Sequence, residues 1–168
     1  MAEFAVAGPY KIPFDWRPGG RLLFPNAFWQ QSEELEQLQW ERGCYVFAMK
    51  AGKGATPLYV GQATRSFKQE CFSPANIRKC LDALATYAKR SPVIYLVRHP
   101  PQRGKTNSKQ IGEIESFLIQ NASIKNPDIQ NVHGKEAPKW SIQGVVRGGQ
   151  GKPSKAATQF RRLIGINK

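Results

Sequence analysis

Apolar and polar positions along the chain fall into two periods. Residues 43 to 48, "GCYVFA", and 58 to 64, "LYVGQAT", are short apolar runs that predict β-strands. The "KAGKGAT" stretch between them has hairpin length, which makes the two strands antiparallel neighbours. Residues 93 to 97, "VIYLV", form a continuous apolar run suited to a central strand. The helical period appears elsewhere. "QSEELEQLQWERG", residues 31 to 43, predicts a short helix capped by Ser32, with acids in its first turn and Gly43 as its stop. "SPANIRKCLDALATYAKR", residues 73 to 90, predicts a helix capped by Ser73, with Pro74 at its first position and a stripe of Ile77, Leu81, Leu84 and Ala88. Pro92 is expected to end it. "KQIGEIESFLIQNA", residues 109 to 122, predicts a third helix with its buried stripe at Ile111, Ile114, Leu118 and Ala122.

The ends of the chain are less regular. Residues 1 to 30 are rich in Pro, Gly and aromatics and are expected to wrap the core as irregular structure. "KWSIQGVV", residues 139 to 146, predicts a further strand, and "SKAATQFRRLIG" a last basic helix capped by Ser154. No internal repeat is visible. The expected organisation is an N-terminal extension over residues 1–42, one core domain over 43–132 and a basic C-terminal extension over 133–168.

Composition sharpens this picture. The 168 residues are 40% hydrophobic, enough for one domain with a proper core. Lys and Arg number 25 against 12 Asp and Glu, a net charge of +13. Such an excess sets up a positive field that recruits polyanions, so the expected partner is nucleic acid, DNA first. The loop "RHPPQRGKTNSK" carries Arg98, Arg103, Lys105 and Lys109 without an acid and is a candidate phosphate-contacting arm; the competing reading is a solvated loop. No run approaches the ~20 apolar residues of a membrane span, and the N-terminus lacks the pattern of a signal peptide. Cys44, Cys71 and Cys80 have no metal-ligand spacing and read as buried thiols of a reducing, cytoplasmic compartment. His99 and His133 are too far apart in sequence to suggest a His/Cys zinc site. Trp16, Trp29 and Trp140 are candidate stacking surfaces for a base, with core burial as the commoner role.

One charged position breaks the pattern. At ~100° per residue, Glu113 points away from Ile111 and is a solvated glutamate. Glu115 lies only ~40° from Ile111, at the edge of the apolar stripe. A carboxylate there is partly desolvated and needs a metal, a cation or hydrogen bonds. The plain alternative is an edge residue that reaches solvent or pairs with a lysine.

Taken in order, "GCYVF", the short hairpin, "YVG", the helical segments, "EIESFLIQ" and "NPDIQNV" resemble the GIY-YIG nuclease family over roughly residues 43 to 132. Gly43 and Tyr45 fall on the first motif, Tyr59 and Gly61 on the second. Glu115 falls on the family's metal-binding glutamate and Asn131 on its asparagine. The resemblance implies an α+β fold, a small three-stranded, mostly antiparallel sheet flanked by helices. It implies a metal-dependent endonuclease that hydrolyses phosphodiester bonds, with one Mg²⁺ or Mn²⁺ on Glu115. Tyr45 would take a proton from the attacking water, which calls for a phenol whose pKa is lowered by nearby cations, and Tyr59 would orient water or phosphate.

The family arginine has no match. "TRSFKQECFS" offers Lys68 as the nearest substitute, with Arg65 one turn before it and Arg78 on the following helix. The histidine sometimes found nearby is absent too. A non-catalytic nucleic-acid-binding module on the same scaffold is therefore the second expectation. A structural component of a larger complex is the third. Oligomeric state has no sequence signal.

Overall fold

A computed structural model describes residues 2–87, 89–100, 106–126, 140–146 and 151–166, the side chains of Trp16, Arg21 and Ile124 excepted. Seven strands and six helices occur among them. In chain order these are β1 Ala2–Lys11, β2 Phe14–Arg17, β3 Gly20–Leu23, α1 Pro25–Trp29, α2 Glu33–Leu38, β4 Gly43–Ala51 and β5 Gly54–Ala63. They continue with α3 Phe67–Glu70, α4 Pro74–Thr86, β6 Ser91–Arg98, α5 Ser108–Lys125, β7 Trp140–Ile142 and α6 Lys155–Leu163.

The fold is α+β. Five strands form one sheet in the order β5-β4-β6-β1-β7, and β2 pairs with β3 as a separate hairpin. The antiparallel trio β5-β4-β6 lies within this sheet. The sheet is larger than the three strands expected and is mixed, because β1 adds antiparallel to β6 and β7 adds parallel to β1. The N-terminal segment is thus regular where irregular structure was expected. Its Gly8–Pro9 pair hides the strand, and it sits where the β1–β6 register shifts between Ala7 and Tyr10. A bulge tolerates the missing proline N–H, and Gly8 takes φ +104°.

The β4–β5 hairpin turns tightly through Gly52 and Lys53, with Ala51 opposite Gly54. Pro57 is accommodated because β5 is an edge strand. The helix caps follow the sequence: the hydroxyls of Ser32, Ser73 and Ser154 accept from Leu35, Asn76 and Ala157 N–H. Gly43, expected to stop α2, instead opens β4 at φ +148°, and any Cβ there would collide with the Val97 carbonyl of β6. Helix α4 gives way at Tyr87, and Pro92, expected to end that helix, lies inside β6.

Alternation along β4 sorts the core into two layers. Cys44, Val46 and Ala48 face α5 and α6, packing with Ile111, Ile114, Leu118, Ala122 and Phe160. Tyr45, Phe47 and Met49 face the other way, against Phe67, Cys71, Cys80 and Leu84 of α3 and α4 and the aromatics of the N-terminal segment. The α5 stripe is as its periodicity predicts. That of α4 is rotated: Asn76, Cys80, Ala83 and Leu84 are buried, while Ile77 and Leu81 are only partly so, and Ala88 lies outside the described residues. Cys44, Cys71 and Cys80 are free thiols, all buried.

Candidate functional site around Gly61 and Gln62

Register in the β4–β5 hairpin brings the two tyrosines together. Tyr45 lies opposite Gly61 and Phe47 opposite Tyr59, so both phenols project from one face. Their rings meet edge to face with centroids 6.1 Å apart, and Tyr59 also stacks on Phe47 at 6.4 Å. The Tyr45 ring lies directly over Gly61, where a Cβ would collide with its ring carbons and hydroxyl. This accounts physically for a glycine two residues after the second tyrosine.

The Tyr45 phenol is closed in. It is 3% exposed, its hydroxyl accepts from Asn76 Nδ2 at 2.8 Å, and it donates to the Glu70 carbonyl at 3.4 Å. Burial pushes its pKa well above the ordinary phenol value, and neighbouring Cys71 and Tyr59 push the same way, against the Asn76 hydrogen bond. The cation-lowered phenol expected at Tyr45 is therefore not what the fold builds, because desolvation by burial dominates. Tyr59 is half-buried, and Lys79 Nζ lies 3.5 Å from its ring centroid.

Glu115 comes from the other side of the sheet. It follows Ile114 on α5, and its charge is felt by Cys44, whose thiol donates to the Ile111 carbonyl at 3.3 Å. The far end of α5 is tied to β5 by Asn126 Nδ2, which donates to the Pro57 carbonyl at 2.8 Å. Helix α5 is thereby clamped along the edge strand. Burial raises the Glu115 pKa above the usual carboxylate value, and the Gln62 backbone N–H, facing the carboxylate, offsets part of that rise. Glu115 forms no ion pair with any described lysine or arginine.

Gly61 and Gln62 are consecutive, with Cα atoms ~3.8 Å apart. The phenol over Gly61 and the carboxylate at Gln62 thus flank one peptide unit from opposite faces of β5. That puts them within roughly 10 Å of each other. They do not share a pocket; they converge on the same point of the sheet edge.

The remaining candidates scatter. Lys68 turns away from the tyrosines, and its Nζ lies 4.8 Å from the Trp40 ring centroid. Arg65 pairs with Glu70 at 3.4 Å and is largely exposed. Arg78 is exposed on α4, Lys109 is exposed on α5, and Arg98 pairs with Glu41 at 3.5 Å. Arg103, Lys105 and Asn131 lie outside the described residues. Trp29 and Trp140 are buried.

Three contributors were missed in the sequence. Lys79 is the cation brought to the tyrosine pair; its signal was its place three residues after Asn76 on the same helix. Asn76 itself holds Tyr45 and also donates to the Glu70 and Cys71 carbonyls. Arg42 donates through Nε to the Arg65 carbonyl at 2.8 Å and through Nη1 to Thr106 Oγ1, joining the turn after β5 to the start of α5. A buried asparagine has no periodic signature, and a partner 31 residues away has no local one.

Among the described residues, no group of three or more His, Cys, Asp or Glu side chains gathers to hold a metal. The donor available is the single Glu115 carboxylate. That suits a hard cation such as Mg²⁺, which keeps several waters and takes one or two carboxylates together with substrate phosphate oxygens. No described helix is long and apolar enough to cross a membrane. No family model, curated protein or solved structure matches the chain.

Proposed function

We propose that the chain is a metal-dependent phosphodiester hydrolase of the GIY-YIG type acting on nucleic acid, with DNA the first polymer to test. One observation carries this reading. Glu115 is a half-buried carboxylate without a cationic partner among the described residues, in a chain of net charge +13, and it stands at the strand residue next to the glycine beneath Tyr45. Keeping such a carboxylate desolvated opposes folding, so a compensating ligand is the physical expectation.

In this reading Glu115 holds Mg²⁺ or Mn²⁺ through oxygen. A cation bound there would supply charge stabilisation at a phosphate and its leaving oxygen. Tyr59, the more accessible phenol, orients water or phosphate. Tyr45 stays neutral, fixed by Asn76, and positions Tyr59. Lys79 supplies the positive charge that the family takes from arginine, as a point charge without a bidentate fork. Arg65, Arg78, Arg98 and Lys109 contribute backbone affinity, which falls as salt rises.

Supercoiled plasmid, single-stranded DNA and RNA incubated with and without Mn²⁺ test this. Wild type is expected to cleave at least one of them only with metal. Glu115→Gln is expected to retain binding and lose cleavage at least ~100-fold, since Lewis-acid stabilisation of a phosphoryl group contributes several kcal/mol. The burial of Tyr45 favours a second reading, a binding module that keeps the scaffold without the chemistry. Absence of cleavage in wild type on all three polymers, with binding intact, selects that second reading.

A further inference from the structure

Trp40 is 63% exposed, more than any other large hydrophobic side chain among the described residues. A single exposed apolar residue is unremarkable by itself; its setting distinguishes this one. Trp40 stands at the rim of a cavity of about 590 Å³, within the size range of small-ligand sites. Asn26, Gln30, Glu36 and Lys68 also line it. The Asn26 and Gln30 carboxamides are exposed and make no hydrogen bond within the described residues.

The backbone that carries the indole is held firmly. Phe67 N–H donates to the Glu41 carbonyl at 2.9 Å and Lys68 N–H to the Gln39 carbonyl at 2.9 Å. These two bonds bracket Trp40 and tie its turn to α3. A platform already ordered costs little to engage. Lys68 Nζ sits over one face of the ring, 4.8 Å from its centroid, which leaves the opposite face for a base.

We infer that this cavity is a stacking subsite for an unpaired nucleobase. The base lies on the open face of Trp40, and Lys68 meets its phosphate. The free carboxamides supply both donors and acceptors to a base edge, and Glu36 accepts from an exocyclic amine. A flat aromatic ring, a cation and uncommitted amides answer the three parts of a nucleotide: face, phosphate and edge. Bases stacked inside a duplex do not offer a free face, so the subsite takes single strands or extruded bases. Helix α3 carries Lys68 and, two residues on, the Glu70 carbonyl that receives Tyr45 and Asn76. The subsite and the Tyr45–Asn76 network therefore share helix α3. This inference rests on the nucleic-acid reading above and names the form of its substrate.

The test is equilibrium binding of the full chain in EDTA, where cleavage is silent. Three probes of equal phosphate count are used: a mixed-sequence single strand, the same strand made wholly abasic, and a duplex. Wild type is expected to bind the intact single strand more tightly than the abasic one. Trp40→Ala is expected to weaken the intact strand about five- to 150-fold, the range for loss of one base–aromatic stack, and to leave the other two unchanged. Trp40→Phe is expected to recover most of the loss. Equal weakening of intact and abasic strands by Trp40→Ala, or no change in either, overturns the subsite, as does failure of wild type to bind any probe. A wild type that shows this Trp40 pattern yet never cleaves with Mn²⁺ sinks the hydrolase reading alone.

Discussion

The two faces of β5 around Gly61 and Gln62 treat polar groups in opposite ways. On the α4 side, Tyr45 is buried with its hydroxyl committed to Asn76 and the Glu70 carbonyl, and Asn76 spends its remaining capacity on the Glu70 and Cys71 carbonyls. On the α5 side, Glu115 lies at the edge of the core stripe, with a backbone N–H facing it and no ion pair to a described cation. The first face is an internally satisfied network, which fixes geometry. The second leaves a charge that no described side chain compensates. A tyrosine motif and a carboxylate motif of similar appearance in sequence thus sit in different settings, one satisfied within the fold and one not satisfied by any described side chain.

Substitutions sort by how strongly they disturb this division. The largest effect on folding is expected from Gly61→Ala, because its Cβ enters the Tyr45 ring. Displacing a packed aromatic costs about 1–3 kcal/mol or more, read as a lower denaturation midpoint. A Tyr45→Phe background should not rescue it, since ring carbons as well as the hydroxyl are in the way. An unchanged midpoint would mean that the ring does not cover Gly61.

Asn76→Ala comes next. It removes a donor shared by one phenol and two carbonyls and leaves buried acceptors unpaired, at about 1–3 kcal/mol. Its cleavage defect is expected to follow from misplacing Tyr59, so a variant as active as wild type would separate the phenol network from the chemistry.

The smallest stability change belongs to Glu115→Gln, and its sign depends on pH. The folded carboxylate has a raised pKa, so the native state holds its proton more tightly than the unfolded chain does. Its contribution is fully present below the ordinary carboxylate pKa and is lost as pH rises through the raised one. Relative to wild type, the glutamine variant should therefore gain stability over that window and keep the gain at neutral pH. Added Mg²⁺ or Mn²⁺ should stabilise wild type but not the variant. Metal-independent melting of both proteins would leave Glu115 without its proposed ligand.

Parts of this site were legible before any coordinates. The α5 stripe at Ile111, Ile114, Leu118 and Ala122 needs only a 3.6-residue period, and it places Glu115 at the stripe edge. Hairpin length pairs Tyr45 and Tyr59, and local serine caps mark three helix starts. The strand character of residues 2–11 was hidden because proline, glycine and aromatics mask a pattern that depends on pairing with β6 some ninety residues away. Lys68 was the nearest cation by sequence distance; yet α3 turns it toward Trp40, whereas α4 swings Lys79 onto Tyr59. Trp40 itself sits in a segment that reads as a helix end, where no pattern separates a buried indole from an exposed one.

Sequence alone settled the helical or extended character of the segments that became β4, β5, β6, α4 and α5, which serines cap the helices and how much positive charge the chain carries, because these follow from neighbours within a few positions and from composition. Tertiary structure decided which face of the sheet each functional group occupies, which cation meets the phenols and which tryptophan stays in water. Those depend on strand register and on the rotation of helices against the sheet, and both are set by contacts between residues far apart in the chain.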